Sequence, residues 1–550
     1  IVYGADTDLA MTLLDWIIVG VFNGAIIVYG LVRSRETKTS ADWFLAGRTL
    51  PWWTVGLSLY ATAIDSSDLV ADSGGTYDLG VSYFVFSWVG MVSGWLIAAH
   101  FIAIPMYRSG MYTNAEYLEA RFSPAMRVFS AIVQVLYRTL VLGIIATTIY
   151  LVLAVIAGWG ETAWWGVGAI ALVASLYTSL GGLKSVALTD ALQTIVMLVG
   201  SFVLFGLAWS GIGGWSGLET QLASHDAELP DRLLHTGSSD WPVWVKYFIA
   251  GAAYAVVNHT QTMRLLGSRS EWHLKMSVVL ASAVLMITTF TNLMIGVIGR
   301  AFYPETGQMP LAVELQTRDS IYPLLVTDLA GPGLVGLVVA GVVAAFISTY
   351  DSIGSTLSSL LVRDVYARFI VRDREDRHYL RVGQWLTPLI ILGSFAYVPY
   401  LRQEQGMLDV YLKAVGAFVV PLFTIYMMGV FTRVHRRTGV AAIIVGVGYG
   451  LIRLLAPDRL PAAVLADDDL SYIFSVVLTA GTMLVISLFI GWERSDRILH
   501  EESTGWLRSS QAEIRELALE QGESRGGALP LILGLIMVAL GLFLSFVIFW

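Results

Sequence analysis

The 550-residue chain has no cysteine, which excludes disulfide frameworks, cysteine-ligated zinc, iron–sulfur clusters and covalently attached haem. Charge is scarce too: Asp, Glu, Lys and Arg make up 14% of the residues, against about 25% in an ordinary globular chain. A soluble enzyme cannot cover its surface with so little. A phosphate-binding loop is missing, because Gly181-Gly182-Leu183-Lys184-Ser185 lacks the upstream glycine spacing. With no metal-ligand helix and no polar nucleotide domain either, an ATP-driven pump or membrane enzyme has nothing to work with, and only His100 and His259 lie away from the ends of apolar runs, too few for a haem electron carrier. A net charge of −8 leaves no basic footprint for nucleic acid. What is present is apolar sequence: 56% of the residues are hydrophobic and the mean hydropathy is +0.67. The chain reads as an all-α polytopic membrane protein whose standing partner is the lipid bilayer.

A bilayer core about 30 Å thick is crossed by about 20 helical residues. Fourteen apolar runs of that order follow one another, at 9–32, 50–74, 79–107, 124–157, 162–180, 186–211, 242–266, 273–302, 332–362, 379–400, 407–432, 438–456, 470–492 and 528–550. The first has no short core with a small-residue cleavage site and is read as a retained helix. Lys and Arg collect after the first, ninth and eleventh runs (Arg33 to Lys38, Arg363 to Arg381, Arg433 to Arg437). They alternate with acidic loops such as Asp467-Asp468-Asp469. The positive-inside rule then puts the N-terminus outside, with the C-terminus on the same side, in the plasma membrane. The mixed Glu/Arg/Leu stretch 493–527 reads as a cytoplasmic amphipathic helix or a solvated linker.

Charges inside a membrane are costly and mark function, so the polar clusters within the runs were weighed individually. In the second run, Ala61-Thr62-Ala63-Ile64-Asp65-Ser66-Ser67-Asp68 leads on to Asp72. On a continuous helix Asp65, Asp68 and Asp72 form one stripe about 10.5 Å long, which must line water, meet cations or bind protons. Alternatively the Ser, Thr and Asp side chains unwind the segment and free carbonyls for a cation, while helix capping alone accounts only for the end from Asp72 to Gly75. In the ninth run Ala345, Ser348, Thr349 and Ser352 follow i, i+3, i+4, i+7, either a hydroxyl-bearing cation face or a small-residue packing stripe; packing does not need the neighbouring Asp351. A third cluster, Thr189-Asp190 with Gln193, has an electrostatic explanation at a helix start as well as a functional one. The seventh run breaks at Asn258-His259-Thr260-Gln261, five runs after the first break, as two inverted five-helix repeats would require. Lys413 either snorkels to the outer interface or points inward toward Asp65 and Asp68. Tyr60, Tyr83, Phe84, Phe86 and Tyr254 are aromatic candidates for stacking on a solute or gating its cavity.

Four motifs then carry a resemblance: Asp42-Trp-Phe-Leu-Ala-Gly-Arg48 before Trp52-Trp53, Tyr177 through Asp190 to Gln193, the Ser348-Thr349 helix ending in Asp364-Val-Tyr366, and Gly429-Val-Phe431 after Pro421. From about residue 10 onward the chain resembles the sodium/solute symporters, which include sodium/glucose, sodium/galactose, sodium/proline and sialic acid transporters. The resemblance implies a leucine-transporter-type fold working by alternating access. Its units are a leader helix at 9–32, repeats at 50–211 and 242–432 around an extracellular loop at 212–241, and three trailing helices within 438–550. It implies Na+ held by the carbonyls of Ala61, Ile64 and Ala345 and the hydroxyls of Ser348 and Thr349, and in some members a second Na+ at positions falling on Asp190, Ser348, Asp351 and Ser352. It matches the sugar transporters' solute-binding Asn to Asn258, but sets Ser87, Asp68 and Lys413 where they carry Glu, Gln or His, and Gln. Solute contacts are therefore expected from Asp65, Asp68, Ser87, Asn258, Lys413, Tyr83 and Tyr254. The expected function is inward sodium-coupled symport of a small polar organic solute (a sugar, amino acid or carboxylate), with one monomer sufficient and no enzymatic activity. A proton-coupled symporter or a non-transporting sensor of the same fold is the alternative.

Overall fold

The computed structural model describes residues 11–34, 43, 45–305, 317–372, 374–401, 406–460, 463–494 and 527–550. In chain order the main helices are α1 (Leu13–Ser34), α2 (Trp52–Ala61), α3 (Ser66–Leu79), α4 (Trp88–Arg108), α5 (Asn114–Arg121), α6 (Pro124–Val155), α7 (Ala163–Ile212), α8 (Trp241–Val257) and α9 (His259–Leu266). They continue with α10 (Glu271–Phe302), α11 (Ile321–Leu329), α12 (Leu334–Ile370), α13 (Arg377–Leu401), α14 (Met407–Phe431), α15 (Thr438–Leu455), α16 (Ser471–Ile490) and α17 (Leu529–Ile548). Among the described residues eleven helices are long and apolar enough to cross a bilayer: α1, α4, α6, the Gly181–Ile212 part of α7, α10 and α12 to α17. The other three expected runs are those the backbone interrupts: α2 with α3, α8 with α9, and the part of α7 before Gly182. Residues 495–526 of the expected amphipathic segment lie outside the described residues.

The interruption of α7 has a local cause. Gly182 takes φ +64° and ψ −174°, a conformation open almost only to glycine. A Cβ there would lie 2.7 Å from the Cα of Trp43, which is fully buried against it. The motif around Trp43 and the Gly181-Gly182 turn therefore form one joint. Gly182→Ala is expected to cost about 1–3 kcal/mol, seen as a lower unfolding temperature of the purified protein.

α12 packs along α7, and α1 lies across both. Asp15 fixes that crossing, because its Oδ1 accepts the N–H groups of Gly333 and Gly336, each at 2.7 Å, at the otherwise unsatisfied start of α12. α10 runs beside α2 and α3, close enough that a Cβ at Gly296 would lie 2.1 Å from the Ser73 carbonyl. α15 and α16 pack on each other and turn residues such as Leu488 and Phe489, 69% and 86% exposed, outward as a lipid-facing surface requires.

The two ends of the bundle differ. At one, Thr236 donates its N–H to Phe549 at 2.5 Å, which brings the end of the chain onto the 212–241 segment. At the other, basic side chains gather: Arg368 reaches Glu119 of α5 at 2.7 Å, and Arg121 reaches the carbonyls of Gly429 and Val434 at 2.8 and 2.9 Å.

Candidate ion and solute site

The centre of the bundle is built by the break between α2 and α3. In an uninterrupted helix the N–H groups of Asp65, Ser67 and Asp68 would bond the carbonyls of Ala61, Ala63 and Ile64. Instead Asp65 N–H donates to Asp68 Oδ2 (2.6 Å), Ser67 N–H donates to Asp65 Oδ1 (2.7 Å), and the Asp68 N–H is also taken by the Asp65 side chain. This is a reciprocal capping box in which both members are carboxylates. Of the two arrangements expected from the sequence this is the unwound one: Asp65 caps α3, and with Asp68 it diverts three amide donors and leaves three carbonyls without their helical partners.

Opposite the break, α12 presents Ser348. Its Oγ lies 2.9 Å from the Ala61 carbonyl oxygen and 3.0 Å from that of Ala345, donating between them. The neighbouring Thr349 Oγ1 is buried with no hydrogen-bond partner among the described residues. Three of the five oxygens expected around Na+ thus meet, the Ile64 carbonyl is released in the same turn, and the fifth is an orphaned hydroxyl. Oxygens of this kind suit a hard cation.

The expected second cation set is arranged differently. Asp190 and Ser352 face the Arg264 guanidinium of α9, which sits among them fully buried. Its Nη2 donates to Asp190 Oδ2 at 2.9 Å and to the Ser352 hydroxyl, its Nε to Ser58 Oγ at 2.7 Å, and its Nη1 to the Thr260 carbonyl at 2.9 Å. Ser58 Oγ donates in turn to Asp190 Oδ2 at 2.5 Å, while Ser352 Oγ donates to Asp351 Oδ1 at 2.9 Å. A tethered cation already lies where a second sodium was expected.

Beside the break lies a narrow cavity, walled by Asp65, Asp68, Asp72, Arg138, Tyr254 and Tyr411 and by apolar side chains of α6 and α14. Tyr254 donates its hydroxyl to the Thr62 carbonyl at 3.2 Å, tying the two broken helices together, and Tyr83 donates to Asp72 Oδ1 at 3.1 Å. Asn258 caps α9 by accepting the Thr260 N–H at 3.0 Å and is not on the cavity wall. Lys413 is half-buried and also off the wall, because the two-residue step from Tyr411 rotates a helical side chain by about 200°. The Ser87 side chain lies outside the described residues. Arg138 and Tyr411 were not anticipated. A search for polar clusters passes over a lone arginine in an apolar run, although one intramembrane charge is itself a signal.

A family model described as the sodium:solute symporter family matches residues 43–446. The chain belongs to that family. It is a transporter rather than an enzyme, and its coupling ion is sodium. The symporter is 27% identical over 510 residues to a sodium/myo-inositol cotransporter 2 of Rattus norvegicus, covering 85% of this chain and 75% of the relative. It is 28% identical over 515 residues to a sodium/glucose cotransporter 4 of Danio rerio, covering 85% and 76%. Among solved structures it superposes on an outward-open, substrate-bound Na+-coupled sialic acid symporter with a TM-score of 0.75 at 18% identity, over 88% of this chain and 99% of the other. On a closed nucleobase-cation-symport-1 family transporter the TM-score is 0.51 at 13% identity, over 86% and 98%. The symporter has the leucine-transporter-type fold expected from its sequence.

Toward the end that carries the 212–241 segment, a clasp covers the symporter's cavity. Arg318 Nη1 reaches Asp78 of α3 at 2.8 Å and its Nη2 reaches Asp409 of α14 at 2.6 Å, but these carboxylates are 44% and 54% exposed, so such pairs contribute little. Asp319 is the buried member. Its Oδ2 accepts the Met407 N–H at 2.8 Å, and Gly74 makes room for it, since a Cβ there would lie 2.2 Å from Oδ1. Burial pushes the Asp319 carboxyl from an ordinary 3.8 up to about 7; Asp409 and Asp78 push the same way, and the Met407 amide and Arg318 oppose. The folded clasp therefore holds a proton that the unfolded chain releases between about pH 4 and 7. Its stability is full below about 4, falls as pH rises through about 7, and is level above that. Asp319→Asn is expected to flatten this slope, as measured by unfolding temperature between pH 5 and 8.

Proposed function

We propose that the chain carries sodium and a small polar organic solute inward by alternating access. One sodium would move per cycle, held by the carbonyls of Ala61, Ile64 and Ala345 and the hydroxyls of Ser348 and Thr349. The solute would sit in the cavity beside the break, with Asp65, Asp68 and Tyr254 on its wall. The observation that carries this reading is the capping box at Asp65 and Asp68, which strips the Ala61 and Ile64 carbonyls of their amide partners directly opposite a hydroxyl-bearing helix. The Ile64 carbonyl is left without its amide and the Ala61 carbonyl keeps only the Ser348 hydroxyl, and a bare cation is a ligand that engages both carbonyls together with that hydroxyl oxygen. Arg264 beside Asp190 and Ser352 supports a single ion.

The solute class is that of a sugar, polyol, amino acid or carboxylate; the relatives named for glucose and myo-inositol keep sugars and polyols among these. The proposal includes fourteen crossings, with the 50–211 and 242–432 units as inverted repeats and the trailing helices within 438–550. Both termini would be outside the plasma membrane, as the basic end of the bundle suggests, and one monomer would suffice. Sodium and solute would each raise the other's affinity by the same factor, and one charge moving inward at about 100 mV contributes about 2.3 kcal/mol. The test is thermal unfolding of the purified protein with sugars, polyols, amino acids and carboxylates, in sodium and in potassium. Stabilisation by one solute class that depends on sodium is the expected result. Stabilisation that ignores sodium and follows pH instead overturns the sodium assignment.

A further inference from the structure

The cavity's charges are arranged so that they do not satisfy one another. Asp68 and Asp72 each commit one carboxylate oxygen to the protein, to the Asp65 amide and to Tyr83 respectively, and the second oxygen of each accepts no hydrogen bond among the described residues; Asp65, whose carboxylate takes the Ser67 and Asp68 amides, lines the same space. Arg138 lines the same space, is 3% exposed, and leaves its Nε and Nη2 without a hydrogen-bond partner among the described residues. It makes no ion pair within 4 Å to any of the three aspartates; its guanidinium carbon lies 5.8 Å from the Tyr254 ring centre and 5.9 Å from that of Tyr137. Arg264 and Asp190, in the same molecule, pair directly. Here donors and acceptors stand apart around a cavity, and a ligand must complete both sets.

We propose that the transported solute is an amino acid, with its primary ammonium on the oxygens of Asp65, Asp68 and Asp72 and its carboxylate on Arg138. The chemistry is complementary: an ammonium offers three N–H donors to three carboxylates, and a guanidinium fork matches a carboxylate. Tyr254 and Tyr411 form polar-tipped aromatic walls, and Val141 and Ile144 cover an aliphatic chain between the two charges. A hexose or a polyol lacks both ionic groups and would leave the three carboxylates and the arginine desolvated and unanswered. This inference deepens the symport reading and rests on it.

The test measures thermal stabilisation of the full chain, in NaCl and in KCl, by glycine, lysine and the series from 3-aminopropanoate to 6-aminohexanoate. The matching amines without the carboxylate, the matching acids without the amine, glucose and myo-inositol are run alongside. At least one amino acid is expected to stabilise the protein in sodium with at least tenfold tighter half-saturation than its amine-only and acid-only analogues. Asp72→Asn and Arg138→Gln are each expected to weaken that half-saturation at least tenfold while leaving stabilisation by sodium alone in place, which shows that the variants are folded. Stabilisation by glucose or myo-inositol and not by amino acids overturns the proposal, as does an amine-only analogue that matches the amino acid, or no response to any amino acid. An amino acid that stabilises equally in potassium upholds the solute class and overturns the sodium coupling instead.

Discussion

Arg264→Ala is expected to destabilise the symporter by about 3–5 kcal/mol, because it removes one partner of a fully buried ion pair and leaves Asp190 uncompensated. The loss extends beyond the pair, since the same guanidinium supplies Ser58, Ser352 and the Thr260 carbonyl. Arg264→Ala with Asp190→Asn should recover much of the loss, because the stranded charge goes with its partner, and the double-mutant cycle isolates the coupling between the two. The single variant has a second signature. With the tethered cation gone, Asp190 and Ser352 become a site for a free one, so sodium should stabilise Arg264→Ala more than it stabilises the native protein, and the double variant should lose that increment. Thermal unfolding across a sodium titration reads both effects. Native-like stability of Arg264→Ala without sodium would mean that the pair carries no energy, and with it would go the argument that the arginine displaces a second ion.

How far the sequence led can be judged at particular residues. The interruptions of the second and seventh runs were legible because Asp65-Ser66-Ser67-Asp68 and Asn258-His259-Thr260 put helix-capping side chains in the middle of apolar runs, and the structure breaks at those places. The sequence did not reveal what the aspartates do there. Periodicity placed Asp65, Asp68 and Asp72 on a single helical face, but each cap acts through local hydrogen bonds that a period cannot express. Arg264 and Arg138 were missed for different reasons. Arg264 closes a run of polar residues near the end of the seventh apolar run, and its partner Asp190 is 74 positions away in sequence. Arg138 stands alone in α6, and only the tertiary arrangement brings it to the same cavity as three residues of α3. Lys413 shows the converse, since its helix does reach the cavity but turns Tyr411 to it. Long-range pairing, not helix content, was the information one sequence withheld.

The ion assignment makes the other large prediction. Ser348→Ala removes an oxygen that lies within 3.0 Å of two carbonyls, and Thr349→Val removes a buried hydroxyl that bonds nothing among the described residues while nearly preserving its volume. A contact to a charged partner is worth about 1.5–3 kcal/mol, so each change should weaken apparent sodium affinity roughly tenfold or more. The structural costs differ in a useful way. Losing Ser348 Oγ also removes a bond to the Ala61 carbonyl, so some loss of stability in sodium-free buffer is expected. Thr349 Oγ1 has no partner among the described residues to lose, so Thr349→Val should unfold at the native temperature without sodium and fall behind only as sodium is added. Thr349→Ser, which restores the oxygen, should recover most of the affinity. Because the two ligands are linked, the solute's half-saturation at fixed sodium should worsen in the same variants and return toward native at high sodium. A Thr349→Val protein whose sodium titration overlays the native curve would remove this hydroxyl from the ion's shell. If Ser348→Ala overlaid it as well, the break between α2 and α3 would be left without an ion to hold.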